Sequence, residues 1–351
     1  MAPGRPADPR VLVPLHIGGE PPALGQVVHR LAGDTMGTTW SVACVGPAGM
    51  RLAPVQAAIL RVCQEVIDEM SQWAPDSLLC RFNRAPAGAT QCLPGGFGRV
   101  LDAALQIAAA SGGAYDPTAG DLVALWGFGP SGAAGTPGHR PRHDEPGFRT
   151  PDPDACARAH RGWQALGWQP GPRLLTQPGG AMLDLSAIAK GDAVDRVSAL
   201  LTGLGLPHHL VEIGGELRGE GLKPGGQPWW VDLEPPQADS GLAPVRLALH
   251  GLSVATSGDY RKVYVDAQGQ RRSHTVDPRQ RRPIEHGLAA VTVVHPSAMW
   301  ADGWSTALMV LGPAEGLAMA EARGLAALLV TRRPEGGFDE QMSSALRALL
   351  M

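Results

Sequence analysis

Short runs of β-prone residues follow one another in the C-terminal half of the chain, and Gly or Pro stands between them. They lie at His209–Ile213, Trp229–Leu233, Val245–Leu249, Lys262–Val265 and Ala289–Val294. Several runs are joined by segments too short for the crossover of a parallel pair, so antiparallel pairing is favoured. Neither a G-x-G-x-x-G after a strand nor a P-loop sequence occurs, so the fingerprints of doubly wound nucleotide-binding folds are absent. The sequence predicts an α+β protein with mixed, largely antiparallel sheets and packed helices.

Apolar residues recur at helical spacing in other segments, and Gly or Pro marks several of their ends. The predicted helices cover about 55–71, 98–111, 186–203, 302–311, 314–323 and 340–350, and further strands cover 31–46 and Leu325–Thr331. Residues 1–30 are rich in Pro and Gly and are predicted to form an irregular lead-in, followed by a single domain over 31–351. Residues 129–155 show no periodicity, which predicts a surface excursion.

The net charge, the hydropathy and the cysteine content of the sequence exclude several classes of protein. The formal net charge is −3, which gives no electrostatic footprint for nucleic acid. No apolar run approaches the ~18 residues of a membrane span, and the N-terminal segment lacks the apolar core of a signal peptide. The five Cys form no C-x-x-C pair, so neither a disulfide framework nor a zinc site is indicated. We expect a cytoplasmic protein with no membrane span and no nucleic-acid partner.

Two segments place acidic, hydroxyl or basic side chains at the start of predicted helices. Asp302 and Thr306 are four residues apart, so they share one helix face and can offer oxygen ligands to a hard cation such as Mg²⁺. Asp184 and Lys190 flank the start of another helix, where unpaired N–H groups and the helix dipole favour phosphate. Each segment also has a structural explanation, with Asp302 as an N-cap and Lys190 as an exposed helix lysine.

An aromatic and an imidazole side chain complete the candidates. Trp73 follows the first long helix, where its ring can stack on a flavin or adenine or can join the core. His274 follows the basic pair Arg271-Arg272 and is a candidate proton carrier. A lone His is more often structural, and the chain contains eleven.

Nine short segments occur in a fixed order across about residues 33–333. They are Thr35-Met36-Gly37-Thr38, Met70-Ser71-Gln72-Trp73 (with Ser77 and Arg81-Phe82-Asn83), Gly113-Ala114-Tyr115-Asp116-Pro117, Leu125-Trp126-Gly127-Phe128-Gly129, Asp184-Leu185-Ser186-Ala187-Ile188-Ala189-Lys190-Gly191, Glu212-Ile213-Gly214-Gly215-Glu216, Ala255-Thr256-Ser257-Gly258-Asp259-Tyr260, His274-Thr275-Val276-Asp277-Pro278 and Ala301-Asp302-Gly303-Trp304-Ser305-Thr306. Each segment is weakly specific alone, but the ordered set is highly specific. In this respect the chain resembles the ApbE family, the FAD:protein FMN transferases.

The resemblance implies an ApbE-like, T-fold-related architecture and a Mg²⁺-dependent enzyme. Such an enzyme moves the FMN half of FAD to a Thr or Ser hydroxyl of an acceptor flavoprotein, and AMP leaves. The implied FAD contacts are Met36, Trp73, Ala114, Tyr115, Asp116, Asp184, Lys190 and Val276. The implied magnesium ligands are the backbone oxygen of Ala187 and the side chains of Asp302 and Thr306, and His274 is the catalytic candidate. Some members have a second Asp where Ser305 stands, so the resemblance leaves open one or two metal ions.

Two alternative functions stay open at the level of the sequence. The same residues can hydrolyse FAD to FMN and AMP with water as the acceptor, although the bulk of Trp73 beside the site mildly favours transfer. A flavin-binding protein without turnover is the second alternative. Asp302 and Thr306 argue against it, because a binding module has little need of a metal. Many relatives are exported lipoproteins, and the expected cytoplasmic location departs from that pattern.

Overall fold

The computed structural model describes residues 9–131, 140–159, 162–237, 240–260 and 262–350. Its strands are β1 (Arg10–Leu12), β2 (Gln26–Thr35), β3 (Thr38–Pro47), β4 (Thr90–Cys92), β5 (Gly167–Gln169), β6 (Leu174–Thr176), β7 (His209–Ile213), β8 (Glu216–Glu220), β9 (Trp229–Asp232), β10 (Val245–Leu249), β11 (Leu252–Gly258), β12 (Val263–Val265), β13 (Arg271–Ser273), β14 (Val276–Asp277), β15 (Arg282–Pro283), β16 (Leu288–His295), β17 (Ala326–Arg332) and β18 (Phe338–Met342). Its helices are α1 (Leu52–Met70), α2 (Leu78–Asn83), α3 (Gly95–Ala110), α4 (Gly120–Leu125), α5 (Pro153–Ala159), α6 (Ala189–Gly203), α7 (Ala298–Arg323) and α8 (Ser344–Arg347), with a 3-10 turn at Trp163–Ala165. This mixture of helices and antiparallel strands confirms the predicted α+β class.

Eight strands form the central sheet in the order β18-β17-β16-β11-β8-β7-β3-β2, and each pairs antiparallel with its neighbours. Successive side chains of a strand point to opposite faces, so two separate cores form. On β11, Ala255 packs with the helices α1, α3, α6 and α7, and we call this side the inner face. Val254 packs on the opposite, outer face, which a second sheet of order β1-β10-β9 covers.

The helices α6 and α7 are locked together at their N-terminal ends. Gly191 lies so close to α7 that a Cβ there would be 2.3 Å from the backbone oxygen of Ala298, an approach that glycine alone permits. Asp195, one turn further along α6, accepts hydrogen bonds from Ser297 Oγ (2.6 Å) and from the backbone N–H groups of Ala298 and Met299 (both 3.0 Å). A carboxylate of α6 therefore caps the N-terminus of α7 and fixes its first turn.

Several predicted elements are confirmed with their bounds. The strands β7 and β10 coincide with the predicted runs at His209–Ile213 and Val245–Leu249. The helix α1 buries the apolar positions that predicted it, Ile59 and Val66 among them. The two helices predicted over 302–323 form the single element α7, which is interrupted at Gly312 (φ 81°) next to Pro313. A proline inside a helix removes a donor and breaks the turn, which explains the break.

Two predictions about the ends of the chain are wrong in part. The lead-in predicted to be irregular contains β1, whose Leu12 is fully buried, and β2 already begins at Gln26. The final helix predicted over 340–350 is instead β18 followed by the short α8. Phe338 and Met342 are buried with the period of a strand, because β18 pairs with β17 along the sheet edge. Pairing with the sheet overrides the local helix propensity.

One internal prediction differs from the structure in its start. The helix predicted from residue 186 begins at Ala189, and the preceding residues form a turn. The surface excursion over 129–155 lies partly outside the described residues and stays a prediction. In its described part no residue from 140 to 155 is buried, and the centroid of the His143 ring lies 5.0 Å from that of Phe128 and 5.3 Å from that of Tyr264. The single domain over 31–351 stays a prediction.

Among the residues described, no helix combines the length and apolarity needed to cross a membrane.

Candidate active site

A cavity of about 580 Å³ lies where the β7–β8 hairpin ends against α6, α7 and β11. The structure brings every residue singled out from the sequence to its wall. These residues are Met36, Trp73, Ala114, Tyr115, Asp116, Asp184, Ala187, Lys190, His274, Val276, Asp302 and Thr306. They come from segments far apart in the chain, so their convergence is a property of the fold and not of local sequence.

One wall carries the side chains predicted to contact the flavin nucleotide. Met36 stands in the tight turn between β2 and β3 with a positive φ of 50°. The Trp73 ring is half exposed, and the Arg142 guanidinium lies 5.7 Å from its centroid in a cation–π contact. Asp116 is buried, and its Oδ1 accepts from the backbone N–H and the hydroxyl of Thr118 at 2.7 and 2.6 Å. Its neighbour Tyr115 is also buried, and desolvation raises its pKa.

Lys190 lies in the first turn of α6 and forms an ion pair with Glu216, which begins β8. Asp184 Oδ1 accepts from the Ser186 N–H at 2.8 Å and so shapes the turn before the helix. Glu216 is buried, and desolvation raises the pKa of its carboxyl to about 7, with Lys190 acting in the opposite direction. Glu216 ends one of the nine ordered segments, but no role for its side chain is predicted from the sequence.

Asp302 and Thr306 face the same cavity from α7, as their spacing predicted. The Asp302 side chain is buried, and its Oδ2 accepts from the Gly191 N–H at 3.1 Å. Burial raises the pKa of Asp302, and the charge of Lys190 opposes this effect. The Thr306 hydroxyl lies 2.9 Å from Ser257 Oγ, which is also 2.8 Å from Ser305 Oγ. No role was predicted for Ser257 from the sequence, because its position next to Thr306 depends on the packing of β11 against α7.

Ala187, whose backbone oxygen is the third implied magnesium ligand, lies in the turn before α6 and lines the cavity. In a helix that began earlier, the N–H of Gly191 would donate to the carbonyl oxygen of Ala187, four residues before it. In this structure the Gly191 N–H donates to Asp302 Oδ2. Within the described residues, no group of three His, Cys, Asp or Glu side chains is arranged to hold a metal ion. The implied ligands, in contrast, are one carboxylate, one hydroxyl and one backbone oxygen.

His274 stands on the other side of the cavity, between β13 and β14. Its Nδ1 lies 3.2 Å from the Lys262 carbonyl oxygen. Because a carbonyl can only accept, Nδ1 carries the proton and Nε2 presents a lone pair. Desolvation lowers the pKa of His274 to about 4, although the bond to Lys262 opposes this shift. The edge of the ring rests on Phe128, with centroids 6.2 Å apart. The imidazole is therefore neutral near pH 7 and held in one orientation.

Fold and cavity together define an α+β enzyme whose cavity combines buried carboxylates, hydroxyls, a lysine and a neutral histidine. Comparison with known proteins agrees with this description. The model of the ApbE family matches residues 36–329. The FAD:protein FMN transferase of Vibrio cholerae is 37% identical over 339 residues, covering 95% of each chain, and that of Salmonella typhimurium is 35% identical over 330 residues, covering 92% of this chain and 89% of the relative.

The solved structures give the same result. The apo crystal structure of the Pseudomonas stutzeri flavinyl transferase ApbE aligns with a TM-score of 0.81 and 38% identity, covering 92% of this chain and 97% of that one. The flavin transferase ApbE from Vibrio cholerae aligns with a TM-score of 0.78 and 34% identity, covering 93% and 99%. The chain belongs to the ApbE family, which confirms the resemblance seen in the ordered sequence segments.

Proposed function

We propose that this protein transfers the FMN half of FAD to a Thr or Ser hydroxyl of an acceptor protein, with AMP as the leaving group and Mg²⁺ as the required ion. One observation carries the proposal. Lys190, Asp302, Thr306 and His274, which are distant in sequence, converge on a single cavity together with the candidate flavin contacts. Relatives that align along nearly the whole chain bear the name FAD:protein FMN transferase, which supports the same activity.

The charges around Lys190 fit a divalent cation. Glu216 and Asp302 are two buried carboxylates, and the charge of Asp302 raises the pKa of Glu216, whereas the positive charge of Lys190 lowers the pKa of both. Glu216 Oε2 is buried without a hydrogen-bond partner within the described structure, which is costly for an ionised oxygen. Ala187 O, Asp302 and Thr306 Oγ1 would hold Mg²⁺, since hard cations prefer oxygen ligands. When bound, the ion supplies electrostatic stabilisation of charge on phosphate oxygens.

The chain's own residues supply the remaining chemistry. Lys190 lies in the first turn of α6, where its ammonium and the positive helix end can hold a pyrophosphate oxygen. In the transfer step, the acceptor hydroxyl oxygen bonds to the phosphorus of the FMN half. The bond from that phosphorus to the bridging oxygen breaks, and the electron pair leaves with AMP. The neutral Nε2 of His274 takes the proton of the hydroxyl.

Product analysis separates this function from its two rivals. The protein is mixed with FAD, Mg²⁺ and a candidate acceptor, and the products are separated by chromatography and mass spectrometry. The proposal predicts AMP together with an acceptor that carries covalent FMN. Release of FMN and AMP without labelling would identify a hydrolase, and unchanged FAD would identify a binding protein. The acceptor's identity is not implied by any residue of this chain, and the cytoplasmic location stays a prediction of the sequence.

A further inference from the structure

The cavity extends beyond the residues that the proposed transfer chemistry uses. Part of its wall consists of apolar side chains on the outer face of the central sheet and on β9. Leu217 and Val254 belong to the outer core, and Val231 and Leu233 pack against the same core from the covering sheet. Among the candidate flavin contacts, in contrast, Ala114 and Tyr115 belong to the inner core and Met36 packs against it. The cavity therefore extends from the inner face of the central sheet to its outer face.

The pairing of β8 with β11 explains how the cavity can pass the sheet. These strands pair from Leu252 opposite Gly219 to Val254 opposite Leu217. β8 begins at Glu216, so it has no residues to pair with the rest of β11. β11 continues to Gly258 and, in this part, pairs with β16 alone in the described sheet. The sheet thus has a notch directly beside Glu216. An apolar groove on the outer face leads through this notch to Lys190 and Ser257.

The strand β9 borders the groove with an edge that has no partner in the described part of the chain. Its other edge pairs antiparallel with β10, with Val231 opposite Leu247 and Asp232 opposite Arg246. The Leu233 N–H donates to the Val245 carbonyl, which makes 233 and 245 a hydrogen-bonded pair. Hydrogen-bonded and non-hydrogen-bonded pairs alternate along an antiparallel ladder. The N–H of Val231 therefore also points toward β10, whereas the N–H groups of Trp230 and Asp232 point away from β10. The edge of β9 that faces away from β10 therefore presents a row of backbone donors and acceptors beside Val231 and Asp232, which line the cavity.

We propose that this groove binds an extended segment of the acceptor protein, which pairs with the outward edge of β9 and carries its hydroxyl residue through the notch to the FAD phosphates. The inference rests on the proposed transfer function, because only a protein acceptor needs such a path. Main-chain pairing with a sheet edge supplies affinity that is largely independent of sequence, and the apolar floor selects the flanking side chains. FAD enters from the inner face, so both substrates can be bound at once. Small or apolar residues beside the hydroxyl fit a floor made of Leu217, Val231 and Val254.

The test compares substitutions at Trp230 with a peptide acceptor. The probe is the peptide that the parent enzyme labels fastest from a library of short peptides with one central Thr, in the presence of FAD and Mg²⁺. Trp230→Pro removes an N–H that points away from β10, on the same strand edge as the N–H of Asp232, which lines the cavity, and it leaves the ladder to β10 intact. Proline is tolerated at such edge positions. Trp230→Ala is the matched control, because it removes the ring and keeps the N–H. FAD binding and FAD hydrolysis without peptide report the integrity of the rest of the site.

The groove predicts that Trp230→Pro lowers kcat/KM for the peptide by about 10-fold or more, the effect of one lost backbone hydrogen bond with added steric conflict. Trp230→Ala should label the peptide at nearly the parent rate, and both variants should bind and hydrolyse FAD as the parent does. Equal labelling by all three proteins would overturn the proposal. A parent enzyme that labels an acceptor protein but no peptide in the library would also overturn it. Failure of the parent to cleave FAD, or release of FMN and AMP with no acceptor of either kind labelled, would instead refute the proposed function itself.

A second measurement does not depend on the fold of a variant. Hydrogen exchange of the parent is followed by mass spectrometry with and without the same peptide, in which Val replaces the Thr so that no transfer occurs. The peptide should slow exchange in the segment around Trp230 and Asp232, while the ladder amide of Val231 is slow in both states. Protection confined to other surfaces would place the acceptor elsewhere and contradict the groove.

Discussion

Replacing Gly191 by Ala tests whether the junction of α6 and α7 sets the geometry of the site. The added Cβ would lie 2.3 Å from the Ala298 carbonyl oxygen, 2.6 Å from the Ala298 carbonyl carbon and 2.7 Å from the Met299 Cα. These are backbone atoms of the first turn of α7, so no side chain can rotate away. Ordinary contact requires the two helices to separate by about 1 Å. The Gly191 N–H then also moves away from Asp302, one turn further along α7.

Overpacking of this kind costs about 1–3 kcal/mol in the free energy of unfolding. A displacement of about 1 Å of a catalytic group can lower the rate by about 100-fold. Turnover should therefore fall strongly although the protein stays folded. The assay is AMP release at a series of Mg²⁺ concentrations, with urea unfolding monitored by circular dichroism. We expect turnover about 100-fold below the parent and a higher Mg²⁺ requirement in a protein that is still folded.

Gly203→Ala is the matched control, since it adds the same atoms at the other end of the same helix. Nothing lies within 4 Å of a Cβ at that position. The greater helix propensity of Ala should leave the control unchanged or stabilise it by about 0.5–1 kcal/mol, with parent turnover. If Gly191→Ala behaves like this control in both assays, the packing of α6 on α7 does not set the position of Asp302, and the reasoning fails.

The remaining predictions concern single side chains of the cavity. Asp302→Asn should lower turnover by about 100-fold or more and raise the Mg²⁺ requirement, and parent-like turnover at limiting Mg²⁺ would exclude Asp302 as a ligand. Lys190→Ala should weaken FAD binding by about 10- to 200-fold, since one charge-assisted hydrogen bond contributes about 1.5–3 kcal/mol. It should also destabilise the ligand-free protein, because the buried Glu216 would lose its cationic partner; a stability equal to the parent's in urea would contradict the ion pair. His274→Gln should slow transfer by about 100-fold or more without weakening FAD binding. The pKa of His274 is lowered to about 4, so the base is neutral above that pH, and an acid limb near pH 4 in the parent should disappear in the variant.

The sequence predicts the parts of this fold whose signals are local. Strands such as β7 and β10 are short apolar runs bounded by turn residues, and each was predicted with its observed bounds. The spacing of Asp302 and Thr306 places both on one helix face, and the structure confirms that they face one cavity. The ordered segments led to the correct family because each reflects a position that the fold brings to the cavity.

The features that the sequence did not reveal depend on long-range pairing. Glu216 follows a Gly-Gly turn and has no local sign of burial, and its role emerges only because β8 begins beside Lys190. Ser257 lies near the end of β11 and meets α7 only after β11 has paired with β16. The C-terminal segment contains good helix formers, yet Phe338 and Met342 gain more from pairing with β17 than from a helix. Tertiary contacts decide such cases, and propensity does not.

A crystal structure of the protein with FAD and Mg²⁺ tests the central claim most directly. The claim is that the cavity bounded by Lys190, Asp302 and His274 is where the FAD pyrophosphate is cleaved. We expect Mg²⁺ on Asp302 and Thr306, pyrophosphate oxygens next to the Lys190 ammonium, and the FMN phosphorus on the path between His274 Nε2 and the notch. FAD bound with its pyrophosphate remote from Lys190 and Asp302 would contradict the account.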